Sequence, residues 1–370
     1  MKVRAAILQD VGAPFLVQDV DLQEPLAGEV LVQVKAVGVC HSDWHLVTGD
    51  TKHPLPLVAG HEGAGIVAAI GDGVSRVRVG DLVALNWAPN CGSCFYCHHG
   101  RPSLCDTYVG PIWAGTMLDG TTRLFWRDKP LFHYSALACF AENCVVPEPC
   151  CVPLPGDIPA EIAAVIGCAV MTGVGSVLNT AKVPPGSSVA VIGCGGVGLS
   201  TIMGAKLAGA GPIFAIDALE SRLEAAHELG ADKSYKSYRS YEELVELLRT
   251  DTGGRGPDFV FEAVGKPELQ ELALELVRPG GTVVLSGLSP NGSATNLPGA
   301  KLVRQEKTVM GSYYGTANTA HDFPLYAELW KQGKLPLEKL ISHRYPLQEI
   351  NIAYADMLEG KSRRGVIAFE

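Results

Sequence analysis

The chain has 370 residues, with 30 lysines and arginines against 39 acidic residues and a net charge of −9. That balance gives no basic field to hold nucleic acid or an anionic membrane, and the length suits two domains of ordinary size better than one core. Eleven cysteines accompany a beginning that lacks an apolar stretch long enough for a secretory signal, so reduced thiols and a cytoplasmic compartment are expected.

Up to about residue 160 the chain is rich in short alternating runs such as Val30-Leu31-Val32-Gln33-Val34, separated by Gly, Pro and Asp. This is the pattern of half-buried antiparallel strands, so this half is expected to be mainly β. A cysteine lobe at about residues 90–106 interrupts it. Cys91, Cys94, Cys97 and Cys105 read C-x2-C-x2-C-x7-C, four thiolates close enough in sequence to saturate one tetrahedral zinc in a structural site. A second set is scattered: Cys40, His61 and Cys168. Two thiolates and one imidazole would leave a coordination position for water or substrate. The least polar stretch, residues 162–178, is short for a membrane span. It holds Thr172, Ser176 and three glycines, and reads as close-packed core backbone.

From about Pro185 the texture changes. Apolar runs at 188–192, 213–216, 259–261 and 282–285 alternate with helical segments, among them 219–229 and 241–249, which carry acids near their starts. That is βαβ order and implies a parallel sheet. After about Gly311 come helices near 323–331 and 348–359 and a strand at 365–369. The tail is expected to return to the β-rich half, giving a catalytic domain of 1–169 and 313–370 around a nucleotide domain of 170–312.

Gly193-Cys194-Gly195-Gly196-Val197-Gly198 fits G-x-G-x-x-G, with a strand before it and a small-residue helix after it. Such a turn lets backbone approach a pyrophosphate at a helix N-terminus. The next strand ends at Asp217. A carboxylate there accepts the ribose hydroxyls of NAD and repels the 2′-phosphate of NADP, so NAD is expected, with Arg222 flanking the adenosine ribose.

Together these residues resemble the zinc-dependent medium-chain alcohol dehydrogenases, over essentially the whole chain. The matching pieces are Gly38-Val39-Cys40-His41-Ser42-Asp43, Gly60-His61-Glu62-Gly63, the cysteine lobe, Asp119-Gly120-Thr121-Thr122-Arg123, Ile166-Gly167-Cys168 and the glycine turn. The class I and class III branch looks most similar. The resemblance implies an α/β architecture: a GroES-like, mainly β catalytic domain plus a Rossmann, doubly wound parallel-sheet domain. It also implies two zinc ions per chain. Cys40, His61 and Cys168 would hold the catalytic one, with Glu62 beside it as a transient ligand or supporting group.

By the same resemblance, zinc acidifies a bound alcohol to its alkoxide and hydride passes to the nicotinamide. The proton leaves through Ser42, the nicotinamide ribose and His45. His41 and Arg364 match positions that contact the cofactor pyrophosphate. Val197 and Thr172 match residues beside the nicotinamide. The substrate walls would be Trp87, Tyr134, Thr51, Leu288 and Ser42, which suit primary alcohols with apolar or aromatic tails. A homodimer or homotetramer is implied.

The expected activity is therefore NAD-dependent oxidation of such alcohols to aldehydes, and the reverse. An S-(hydroxymethyl)glutathione or formaldehyde dehydrogenase is an alternative reading. Class III enzymes, however, carry an arginine where this chain has Val109 and an acid where it has Thr51. A non-enzymatic zinc and nucleotide-binding protein is the third.

Overall fold

The computed structural model describes residues 1–236 and 240–370. The chain divides into two units. One comprises Met1–Cys168, Asn318–Gly333 and Leu337–Glu370, and the other Ala169–Ala317 with Lys334–Pro336.

The first unit is built on β-structure. Five strands, Lys2–Leu8, Leu16–Leu22, Leu57–Val58, Leu124–Trp126 and Lys129–His133, close a small barrel. A seven-stranded sheet lies beside it, and its longest strand, Glu29–Gly38, pairs antiparallel with Gly63–Ile70, Asn143–Pro147 and Arg364–Ala368. Flanked on both edges, that strand is buried on both faces over most of its length, which is why its alternation is blurred at the apolar end. One of those partners, Arg364–Ala368, is the last strand of the chain.

The Asp119–Arg123 segment has a structural task in this unit. Arg123 is buried and makes a two-point ion pair with Glu29, at 2.9 and 2.6 Å, and a second pair with Asp119 at 2.7 Å. Paired forks of this kind fix geometry as well as charge. The Arg123 N–H donates to Nε2 of the buried His133 at 3.1 Å.

The second unit holds a six-stranded parallel sheet of Val189–Ile192, Ile213–Asp217, Lys233–Lys236, Phe259–Glu262, Thr282–Leu285 and Thr308–Gly311. In space these lie third, second, first, fourth, fifth, sixth. The order reverses between the first and fourth strands, where such sheets take their ligands. The helices Glu220–Leu229 and Tyr241–Asp251 cover the sheet, the latter started by Ser240, whose hydroxyl accepts the Glu243 N–H at 3.1 Å.

One helix starts earlier than its sequence pattern suggests. It runs Thr319–Lys331, one turn ahead of Phe323, where the apolar spacing places its start. Asp322 accepts the Asn318 N–H at 2.8 Å and so nucleates the turn before Pro324. The apolar helical run Ala160–Ala181, along which the chain passes from one unit to the other, is 89% buried over its most apolar window, as a core helix is.

Candidate active site and zinc centres

Cys40 is the N-cap of the helix His41–Thr48, so its side chain stands at the mouth of that helix. His61 and Glu62 lie just ahead of the strand Gly63–Ile70, and Cys168 lies in the π-helical turn Ile166–Val170. Gly167 allows that turn to sit against the strand Leu82–Leu85, since a methyl group there would press on the Leu85 carbonyl at 2.9 Å. Wide turns of this type recur at functional sites because they re-aim a side chain.

The result is that the ligand atoms of Cys40, His61 and Cys168 all lie within 4.8 Å of one another, and all three residues are buried. The His61 Nε2 faces the Cys168 sulfur at 3.3 Å, while Nδ1 lies 3.0 Å from the Asp43 carboxylate. A carboxylate behind an imidazole fixes which nitrogen faces the metal. Asp43 also accepts the Gly60 N–H at 2.9 Å through its other oxygen. Burial alone would depress the His61 imidazole, but Asp43 and Cys40 raise it well above its ordinary value. The hydrogen bond from Cys168 pulls the Cys40 thiol down, with Arg364 and His61 acting in the same direction against burial. This donor set of two sulfurs and one imidazole nitrogen fits zinc with a position left open.

The lobe forms the second centre. The Cys94 sulfur is 3.5 Å from that of Cys97 and 3.8 Å from that of Cys105, and all four lobe sulfurs lie within 4.8 Å of one another. The Cys91 thiol is lowered to about 5, first by the Thr107 hydroxyl and then by Ser93. Burial and Cys94 push Cys97 up to about 12. Four sulfurs converging without a disulfide fit a closed zinc site.

Other candidates surround the first centre. Ser42 has its hydroxyl 3.7 Å from the Cys40 sulfur, and His45, one turn along the same helix, has Nδ1 3.4 Å from Asp50. Trp87 and Tyr134 set their rings edge-on to the His61 imidazole, with centroids 6.3 and 5.4 Å away. Thr51 is buried and lines a cavity of about 150 Å³ with Leu46, His53 and Leu55. His41 is exposed at the start of its helix. Glu62 and Arg364 form a buried ion pair, so the arginine matched to a phosphate contact is turned onto the carboxylate beside His61.

The remaining residues stand in the second unit. Gly193 directly follows the first strand of the parallel sheet and Gly195 caps the helix Gly196–Leu207, whose first turn has no capping side chain. Its N–H groups suit an anion. Gly198 has no room for a side chain, because a methyl group would overlap the Gly193 carbonyl. Asp217 accepts the Cys194 N–H at 2.7 Å and the Leu219 N–H at 3.0 Å, and Arg222 approaches it at 3.9 Å. Val197 lies in the first turn of the glycine helix, and Thr172 is buried in the helix Met171–Gly175. Leu288 follows the strand Thr282–Leu285 and is 54% exposed.

Sequence reasoning left Asp43 without a role, although its position in the first turn after a ligand cysteine was visible. It also did not see that Glu62 and Arg364 are partners.

Comparison with known proteins agrees with this geometry. Residues 26–156 match the alcohol dehydrogenase GroES-like domain and residues 196–332 the zinc-binding dehydrogenase domain. The chain is 36% identical to an NDMA-dependent alcohol dehydrogenase of Amycolatopsis methanolica, covering 99% of each chain. It is 37% identical to an S-(hydroxymethyl)glutathione dehydrogenase of a Synechocystis species over the full length of both. Among solved structures, benzyl alcohol dehydrogenase from Acinetobacter calcoaceticus superposes with a TM-score of 0.94 at 33% identity, with all of both chains covered. Two sulfur-rich metal centres, a glycine turn on a parallel sheet and full-length similarity lead to one conclusion: the chain belongs to the zinc-binding medium-chain alcohol dehydrogenases and is an enzyme of that family.

Proposed function

We propose that this enzyme oxidises primary alcohols with aromatic or apolar tails to aldehydes with NAD, and runs the reverse reduction. The observation that carries the reading is the pair of rings, Trp87 and Tyr134, standing edge-on to His61. Flat apolar walls beside the metal ligand favour a flat apolar tail, which gains free energy by leaving water. The benzyl alcohol dehydrogenase among its structural relatives supports the same substrate class.

When bound, zinc supplies a Lewis acid for the alcohol oxygen and NAD a hydride acceptor. Cys40, His61 and Cys168 would hold the one, and the glycine turn with Asp217 the other. Asp43 keeps the imidazole in place, while Trp87 and Tyr134 keep water from the reacting carbon. Ser42 and His45, three apart on one helix face, form the proton path. Ser42 would take the alcohol proton while passing its own on toward the nicotinamide ribose, and His45, half-buried beside Asp50, would release a proton to water. Asp217 favours NAD over NADP through its free lone pairs and its charge. A reducing, cytoplasmic setting suits eleven free cysteines, and the family likeness suggests a homodimer or homotetramer.

Glutathione adducts are the second reading, because one relative of similar identity bears that name. Val109, which is exposed, offers no charge for a glutathione carboxylate, and Thr51 offers none for its ammonium group. A panel of alcohols followed by NADH absorbance, with zinc counted per chain, tests the proposal. Turnover of benzyl alcohol well above ethanol supports it. Formaldehyde oxidation that requires glutathione would replace it.

A further inference from the structure

Glu262 ends the fourth strand of the parallel sheet, in register with Ile192 at the end of the first strand and Leu285 at the end of the fifth. It therefore stands at the point where the strand order reverses. Its residue is fully buried, yet it carries a carboxyl group, and that group is used on one loop. Oε1 accepts the N–H groups of Val264 and Gly265, both at 2.8 Å. The main-chain carbonyl of the same residue accepts the N–H groups of Ser286 and Gly287, at 2.9 and 3.0 Å. One residue thus gathers four N–H groups from two loops.

Those loops are pressed together with the glycine turn. A methyl group on Gly287 would lie 2.7 Å from Glu262 Oε2 and would overlap the Gly265 nitrogen. A methyl group on Gly265 would overlap the Leu288 carbonyl, and one on Gly193 would overlap the Val264 side chain. No slack exists among the three segments, so the height of Val264 against Gly193 follows from where Glu262 holds it.

We propose that Glu262 is a positioning residue for the dinucleotide cradle: its carboxyl oxygen fixes Val264 and Gly265 against Gly193 and Leu288, and so sets the floor on which the cofactor lies. The work is done by an acceptor oxygen at a given reach, not by negative charge. Burial, which raises this carboxyl above its ordinary value in spite of the Gly265 and Val264 N–H groups and Gln270, is consistent with a group that acts through geometry.

The proposal rests on NAD as cofactor, and its test separates the two. Glu262→Gln keeps an acceptor oxygen at the same reach, Glu262→Asp withdraws it by one methylene, and Glu262→Leu removes it. In the zinc-loaded protein, NADH affinity is read by fluorescence titration, and protection of the Val264 and Gly265 amides by hydrogen exchange. The Asp and Leu variants are expected to bind NADH about tenfold more weakly, the equivalent of one buried hydrogen bond lost. They should also lose protection at the two amides and raise KM for NAD with kcat little changed. The Gln variant should match the parent in all three. If the Leu variant does not fold, Asp against Gln still decides. Unchanged affinity and protection in the Asp variant would overturn the proposal, as would a Gln variant as impaired as Asp. A parent that binds no NADH would overturn the cofactor reading instead, while the amide protection would still report whether Glu262 holds the loop.

Discussion

The Asp43 carboxylate and the His61 imidazole meet at 3.0 Å in full burial, with the Gly60 N–H on the other carboxylate oxygen. Asp43 thereby sets both the loop that delivers His61 and the face that the ring turns to the sulfurs. Asp43→Asn keeps the shape and removes the charge. It is expected to weaken zinc at this centre by about 10–100-fold while leaving the lobe occupied. Zinc counted after mild chelation should fall from two ions per chain to one, and activity should fall with it.

The buried Glu62–Arg364 pair predicts an asymmetry in stability. Arg364→Leu would leave the Glu62 carboxylate buried without its partner, an effect of about 3–5 kcal/mol in comparable pairs. Arg364→Leu combined with Glu62→Gln should recover a large part of that loss. Urea denaturation of the single and double variants measures it, and equal instability of the two would argue against a tight ion pair.

Replacing a lobe sulfur should separate the two centres. Cys97→Ser removes one of four ligands and should cost one zinc per chain. Because the Cys40, His61 and Cys168 set is independent of it, NAD-linked activity measured promptly at low temperature should persist in part. Inactivation on warming should be markedly faster, because metal binding at such sites is itself folding free energy.

Acid should act on His133. Burial, followed by the Arg123 charge, lowers its imidazole to about 4, whereas an unfolded histidine titrates at about 6.5. Its folded value is depressed, so below about pH 6.5 the unfolded chain binds a proton that the folded one refuses, and stability falls as pH falls until about 4. The loss at pH 5 relative to 7.5 should be about 2 kcal/mol from this group. His133→Gln, which can still accept the Arg123 N–H, should show a smaller drop in melting temperature between the two pH values.

What could be read from the sequence was what lies close together along it. The lobe cysteines and the glycine turn are short, contiguous patterns with a chemical reason for each spacing, and the βαβ alternation follows from apolar runs of fixed length. Cys40, His61 and Cys168 were legible only as a set whose members needed one another, and through family likeness. The Glu62–Arg364 pair spans 302 positions, and no local rule couples its members. Likewise Arg123 could be matched to a family segment, but its partner Glu29, 94 positions away, could not. The start of the helix at Thr319 is set by a side-chain bond, the Asn318 N–H to Asp322, which apolar spacing does not reveal.

The lobe thiols also govern how the purified protein would age. Cys139, Cys144, Cys150 and Cys151 are sealed in the interior, and burial holds Cys139, Cys150 and Cys151 in their unreactive protonated form. Cys91, by contrast, is partly accessible and ionised at neutral pH once its metal is stripped. Air would therefore attack the lobe first, welding sulfurs together before zinc can be restored. A preparation dialysed against chelator without a reductant should lose its capacity for reconstitution over hours, and mass spectrometry should find the first new disulfide among residues 91, 94, 97 and 105.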